Sequence, residues 1–175
     1  TLNWGRQMRV WSAAASTGEE PYSIAMTLAD AFANHPSKDW RIEGTDISSQ
    51  VLRTASDAVY KKERVQDIEH PRLKRYFQKG NGSKEGLLRV RSEIRNKIQF
   101  HKLNLLQPSY PFKESFHIIF NRNVMIYFDR ETQEELIAKM TPLLVPGGYL
   151  IIGHAETLSG LNHPLKMIRP SIYQK

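Results

Sequence analysis

Cysteine is absent from the chain. That excludes disulfides and thiolate metal sites, and leaves a reducing compartment allowed. No apolar run approaches the roughly 20 residues a membrane-spanning helix requires, and no signal-peptide pattern is visible. Neither the glycine spacing of a dinucleotide fingerprint nor that of a phosphate-binding P-loop occurs. Repeats and low-complexity tracts are also lacking. What is present is ordinary for a globular chain: 175 residues suit one domain with a sizeable core, and 40% hydrophobic content argues against disorder. The formal net charge of +7 favours acidic partners, protein or nucleic acid, although an ordinary basic domain can carry the same charge.

The most informative stretch is Val10-Trp11-Ser12-Ala13-Ala14-Ala15-Ser16-Thr17-Gly18-Glu19-Glu20-Pro21. It reads as an apolar strand, a loop of small residues, and a helix opening at Pro21. This layout lets backbone N–H groups face a ligand beyond the carboxyl ends of parallel strands. Glu19 and Glu20 would repel phosphate there, so hydroxyls or positive charge fit better. Asp46 ends a second apolar run, where nucleoside-binding α/β folds hold a ribose. Acids at two strand ends describe an adenosine-type ligand without phosphates.

Residues 1–9 read as a lead-in. Ser23 to Asn34 has helical spacing and stops at His35-Pro36. Arg41 to Ile47 is a strand, and Ser48 or Ser49 caps the following helix. Residues 57–79 are basic, with a short helix expected around Pro71 to Phe77. Leu87 to Arg91 and Ile94 to Leu103 read as antiparallel strands joined by a turn at Ser92-Glu93. Phe116 to Phe120 is apolar enough for a strand buried on both faces. Asp129 or Thr132 caps a helix to Leu144, Pro146-Gly147-Gly148 breaks it, and Tyr149 to Gly153 and Met167 to Tyr173 are further strands. Met125, Met140 and Met167 are most simply core fillers. Alternating strands and helices predict a mostly parallel sheet covered by helices. His154 and Glu156 form a His-x-Glu pair without a third ligand at useful spacing, so no metal site is expected.

Four segments carry a resemblance: Trp11 to Ser23, Gly44-Thr45-Asp46-Ile47, Asn104-Leu105-Leu106, and Asn121-Arg122-Asn123-Val124-Met125-Ile126-Tyr127-Phe128-Asp129. In that order the chain resembles the chemotaxis protein methyltransferases of the CheR family. The resemblance implies a class I S-adenosylmethionine-dependent methyltransferase fold: a Rossmann-like α/β sheet with helices on both faces, ending in an antiparallel hairpin. Residues 1–175 would form the catalytic domain, with a small antiparallel β insertion at about 79–103. The family's N-terminal helical domain is expected to lie outside this chain. The implied activity is methyl esterification of glutamate side chains on bacterial chemoreceptors in the cytoplasm, with S-adenosylhomocysteine as the other product. A non-catalytic module binding either form of the cofactor is the alternative. Carried over residue by residue, the cofactor meets Glu20, Asp46, Asn104, Leu105, Asn121 and Arg122. Tyr127 lies beside the transferred methyl group. Arg122 can orient the incoming carboxylate or pair with a cofactor group, and a structural ion pair with a nearby acid is an equal alternative for it. Arg89 and Arg91 alternate with Leu88 and Val90, so one face of the insertion reads as basic, and the resemblance implies that the insertion docks a peptide of the protein substrate, with Lys79, Gly80, Gly82 and Arg89 as the contacts. The resemblance implies a monomer with no nucleic-acid partner and no membrane insertion. Asn121 stands where many members have cysteine, and Lys79 where some have arginine.

A glutamate side chain has a reference pKa near 4.3 and is already ionised at neutral pH. Methyl transfer to it needs no general base, so the lack of an obvious His–Asp pair is no argument against activity. Positioning is the expected contribution of the protein.

Overall fold

The computed structural model describes Gly5 and residues 7–175. In chain order these form β1 (Gln7–Ser12), α1 (Glu19–Phe32), β2 (Asp39–Asp46), α2 (Ser49–Asp57), β3 (Val59–Lys61), α3 (His70–Tyr76), β4 (Phe77–Lys79) and β5 (Leu87–Val90). There follow α4 (Ser92–Arg95), β6 (Ile98–Lys102), β7 (Phe116–Asn121), α5 (Arg130–Met140), β8 (Leu144–Ile152), β9 (Lys166–Arg169) and β10 (Ile172–Gln174). The lead-in read over residues 1–9 therefore holds the first half of β1, and residues 1–4 and 6 lie outside the described residues.

Among the described residues the main sheet has the order β6-β2-β1-β7-β8-β10-β9. The first five pair in parallel, and β10 runs antiparallel to both β8 and β9. Successive residues of a strand face opposite sides, and β1 shows the consequence. Val10 enters a core cluster with α1 residues Tyr22 and Met26, whereas Trp11 enters a second cluster with α5 residues Leu136, Ile137 and Met140. Both side chains are fully buried. Strand order reverses between β1 and β7, because the chain steps from β1 to β2 on one side and reaches β7 on the other. The crevice above such a reversal is where open α/β sheets bind ligands.

The β excursion differs from the expectation. β3, β5 and β4 form a separate antiparallel sheet drawn from residues 59–90. Ile98–Lys102 is no part of it, since it pairs parallel to β2 at the rim of the main sheet. Ser92–Arg95 is a helical turn between the two sheets, not a hairpin turn. Tyr60, Phe77, Leu88 and Val90 of the small sheet are buried in the same cluster as Val10 and Met26. The small sheet is thus docked on one face of the main core. Asp30 of α1 ties the docking down by accepting from Tyr76, Arg72 and Arg75. Those bonds, the Tyr76 hydroxyl foremost, hold its carboxyl below the usual range. Met167, expected in the core, is 61% exposed on the rim strand β9. No helix among the described residues is long and apolar enough to cross a membrane.

His117 is buried in β7, and its Nδ1 accepts the Arg9 backbone N–H at 3.0 Å. Burial first, and then the nearby Arg9 guanidinium, depress its pKa. The folded state holds it neutral while the unfolded chain charges it near pH 6.5. Its contribution to stability is therefore present above that unfolded value and is lost as pH falls through the folded one. Urea-unfolding midpoints measured from about pH 7 to about pH 5 should fall, and His117→Asn, which can still accept the Arg9 N–H, should flatten the slope. An identical slope in the variant would exclude His117 as the titrating group.

Candidate active site

The loop after β1 is pinned at each turn. Ala13 N–H donates to Phe120 O at 2.8 Å and Ala15 N–H to Thr45 O at 2.8 Å. Trp11 Nε1 donates to Thr45 Oγ1 at 2.9 Å, and that hydroxyl donates onward to Ala13 O at 3.0 Å. Gly18 then turns the chain into α1 with φ +96°. A Cβ there would sit 2.8 Å from the Tyr60 hydroxyl and 2.9 Å from Ala55 Cβ, so glycine is required by conformation and by space. The helix opens at Glu19, two residues before the expected Pro21.

Glu20 faces the crevice at the head of α1. Its Oε1 accepts from Ser12 Oγ at 2.8 Å and its Oε2 from Arg122 at 3.0 Å. Glu20 and Arg122 are both expected as cofactor contacts, and the alternative for Arg122, an ion pair with a nearby acid, is what forms. The structure brings them together as an ion pair joining the head of α1 to the segment after β7, their side chains 21% and 35% exposed. Ser12, which supplies the second bond, was not singled out in the sequence because small serines are common in such loops. Asp46 ends β2, where its Oδ2 accepts the Ser16 N–H at 3.0 Å and its Oδ1 the Ser48 N–H at 2.9 Å. Each oxygen retains a lone pair, because an ionised carboxylate offers about four acceptor positions. Asn104 lies exposed beyond β6, its Oδ1 turned back on the Leu106 N–H at 2.9 Å. Leu105 points its side chain into the core, and its carbonyl accepts from Tyr110 and Lys139. Asn121 is fully buried, and neither its amide oxygen nor its amide nitrogen has a hydrogen-bond partner. Ser12, Glu20, Asp46, Asn104 and Arg122 thus follow the carboxyl ends of parallel strands at one end of the sheet.

Tyr127 closes a 3-10 turn, Met125–Tyr127, beyond β7. It is 78% exposed, which rules out a core tyrosine packed under a helix. Ile126 beside it, Ile47 after Asp46 and Leu106 after Asn104 are also exposed.

A family model described as CheR methyltransferase, SAM binding domain, matches residues 1–173. The chain belongs to this family. It is 46% identical over 167 residues to the chemotaxis protein methyltransferase of Escherichia coli strain K12, covering 95% of this chain and 58% of that protein. It is 40% identical over 168 residues to chemotaxis protein methyltransferase 2 of Pseudomonas aeruginosa, covering 96% and 60%. The chain therefore spans about 58–60% of the length of these curated relatives. Among solved structures, the glycopeptide N-methyltransferase MtfA complexed with sinefungin matches with a TM-score of 0.54 at 13% identity, over 96% of this chain and 52% of that one. At that identity the likeness speaks for the fold alone, which is the class I methyltransferase fold.

The residues at the crevice fit the cofactor that the family description names. Two carboxylates suit a ligand that carries positive charge and a ribose diol. Arg122 is the nearby cation, and it gives one of its N–H donors to Glu20. The buried, unpartnered amide of Asn121, the last residue of β7, is the kind of polar group that asks for a partner.

The residues expected to dock substrate divide. Arg89 pairs across β5 and β4 with Gln78, whereas Lys79 pairs with Leu88. Directly paired residues share a face, so Lys79 and Arg89 project to opposite sides, and the single basic face read from the sequence does not form. Arg89 donates to the Asp57 carbonyl at 3.2 Å. Lys79 and Gly80 line a cleft of about 1080 Å³ with Lys62, His70, Lys74 and Arg91. Gly82 follows at φ +58°, next to the cleft residue Asn81. Part of the basic run is spent within the protein, since Arg72 and Arg75 bind Asp30 and Arg64 lies 3.7 Å from Glu19. No group of metal-ligating side chains occurs among the described residues.

Proposed function

We propose that this chain catalyses methyl esterification of glutamate side chains on bacterial chemoreceptors, with S-adenosylmethionine as methyl donor. The observation that carries this reading is Tyr127, an exposed ring on the turn that follows β7 and Arg122, in a member of the CheR family. When bound, the cofactor supplies a methyl group activated by a sulfonium charge, which an ionised carboxylate can accept without losing a proton. Asp46 would hold the ribose through its free lone pairs. Glu20, oriented by Ser12 and Arg122, would face the cationic end. Arg122 keeps donors beyond the one given to Glu20, and these can align the incoming carboxylate. Tyr127 and Ile126 would cover the reacting groups and exclude water. S-adenosylhomocysteine would remain at the same residues after transfer, in a cytoplasmic monomer.

Protein substrate would dock on the small sheet. β4 is bonded to β5 along one side only, and the cleft beside it carries Lys62, Lys74 and Lys79. An acidic peptide could add there as a further strand. Leu88 and Val90 of this sheet belong to the main core, so excising the sheet would unfold the protein. Lys79→Glu is the cleaner change. It should weaken receptor binding and leave cofactor binding intact.

The reading is tested by transfer of a labelled methyl group to receptor cytoplasmic fragments, with this chain and an N-terminally longer one side by side. Label released by mild alkali is expected, because an ester hydrolyses and an N-methyl group does not. Label that survives alkali, or no label with either chain, would overturn it.

A further inference from the structure

We infer that Glu156 is a positioning residue for methyl transfer, its buried carboxylate fixing the turn that presents Tyr127. This rests on the reading of Tyr127 above. The carboxylate accepts four backbone N–H groups: Asn123 at 2.9 Å, Val124 at 3.0 Å, Met125 at 2.8 Å and Gly153 at 2.6 Å. Charge-assisted bonds of this kind are about twice as strong as neutral ones. They join the loop after β7 to the loop after β8.

The surroundings are shaped to this clamp. A Cβ on Gly153 would lie 2.7 Å from Glu156 Oε2 and 3.0 Å from Asn123 N, so only glycine leaves room for the carboxylate. Asn123 adopts φ +59°, a left-handed conformation that aims three successive N–H groups inward. From the other side Gln133 of α5 donates to Met125 O at 3.0 Å and Phe128 O at 2.9 Å. Met125 is buried, while Ile126 and Tyr127 project outward. The exposed Tyr127 ring has little packing to define its place, so its backbone must define it. A carboxylate that holds the three residues starting four positions before Tyr127 does so directly.

A glutamine at position 156 keeps the shape, but its amide nitrogen is a donor facing N–H donors. Glu156→Gln should therefore loosen the turn. The full chain is assayed for methyl transfer to receptor fragments, with cofactor affinity by calorimetry and amide hydrogen exchange over residues 122–128. The expected result is a kcat loss of about 10- to 100-fold, the scale for misplacement by an ångström. Receptor KM and cofactor affinity should stay near wild type, and exchange should rise over 122–128 but not in β1. In a Tyr127→Ala background, Glu156→Gln should cost almost nothing further. If Glu156→Gln does not fold, Gly153→Ala, whose methyl group displaces the carboxylate, is read by the same measures.

The inference fails if Glu156→Gln keeps full kcat while Tyr127→Ala is impaired. It fails equally if Glu156→Gln costs as much without Tyr127 as with it. Full activity of Tyr127→Ala would instead overturn the reading of Tyr127 itself.

Discussion

Asp46→Ala is expected to weaken cofactor binding by about 10- to 100-fold by calorimetry, because a hydrogen bond to a charged group contributes about 1.5–3 kcal/mol. The upper end is favoured by what else Asp46 does. Its two oxygens hold the Ser16 and Ser48 N–H groups, so it closes the loops after β1 and β2 on each other. Alanine would remove the proposed ribose contact and free the loop that should line the site. Amide hydrogen exchange over residues 12–18 tells the two losses apart, and Asp46→Asn is the milder change. Its one oxygen can keep one of the N–H donors, but its amide nitrogen meets the other, so it should not restore binding. Affinity unchanged in both variants would remove Asp46 from the site.

The fold was legible where a single segment carries its own signal. The small-residue loop of residues 12–18, the acid ending β2 and the Ser48 cap were readable because each depends on neighbours within a few positions. Ser48 does accept the Val51 N–H. The strand Ile98–Lys102 was assigned to the wrong sheet for an equally physical reason. Consecutive strands usually pair, so Ile94 to Leu103 was joined to Leu87–Arg91 as a hairpin. The chain instead spends Ser92–Arg95 on a helical turn and sends β6 to pair with β2. Nothing local to Ile98 or Phe100 encodes that partner.

The site shows the same division. Glu20, Asp46 and Tyr127 stand out within their motifs. The pairing of Glu20 with Arg122 spans 102 positions and is set by the β1–β7 adjacency, which no local pattern states. Glu156 was weighed as half of a metal pair because a His-x-Glu spacing is all that the sequence displays there. Its partners are backbone N–H groups, which leave no mark in a sequence of side chains. The one available signal was Gly153 three residues before it. The basic face fails on strand period alone, since Lys79 and Arg89 sit on different strands and only the register decides which faces they share.

Tyr127→Ala is expected to lower the methyl-transfer rate more than Tyr127→Phe, with cofactor affinity changing less than rate in both. A glutamate acceptor, as proposed above, would be ionised at neutral pH, so no side chain would have to take a proton in the step. The tyrosine then contributes a ring that fixes geometry and keeps water out, and phenylalanine retains that ring. The ring stands 78% exposed, ready to be covered by substrate rather than by the protein's own core. A pH–rate profile under saturating cofactor decides between positioning and acid–base chemistry. Wild type should show no alkaline step that Phe abolishes. If Phe is as inactive as Ala, and wild type alone has a basic limb, the hydroxyl is moving a proton and the positioning account of Tyr127 is wrong. If Phe retains most of the rate while Ala loses about 100-fold, the ring's placement is the catalytic contribution, on the scale that misplacing reacting groups by an ångström costs.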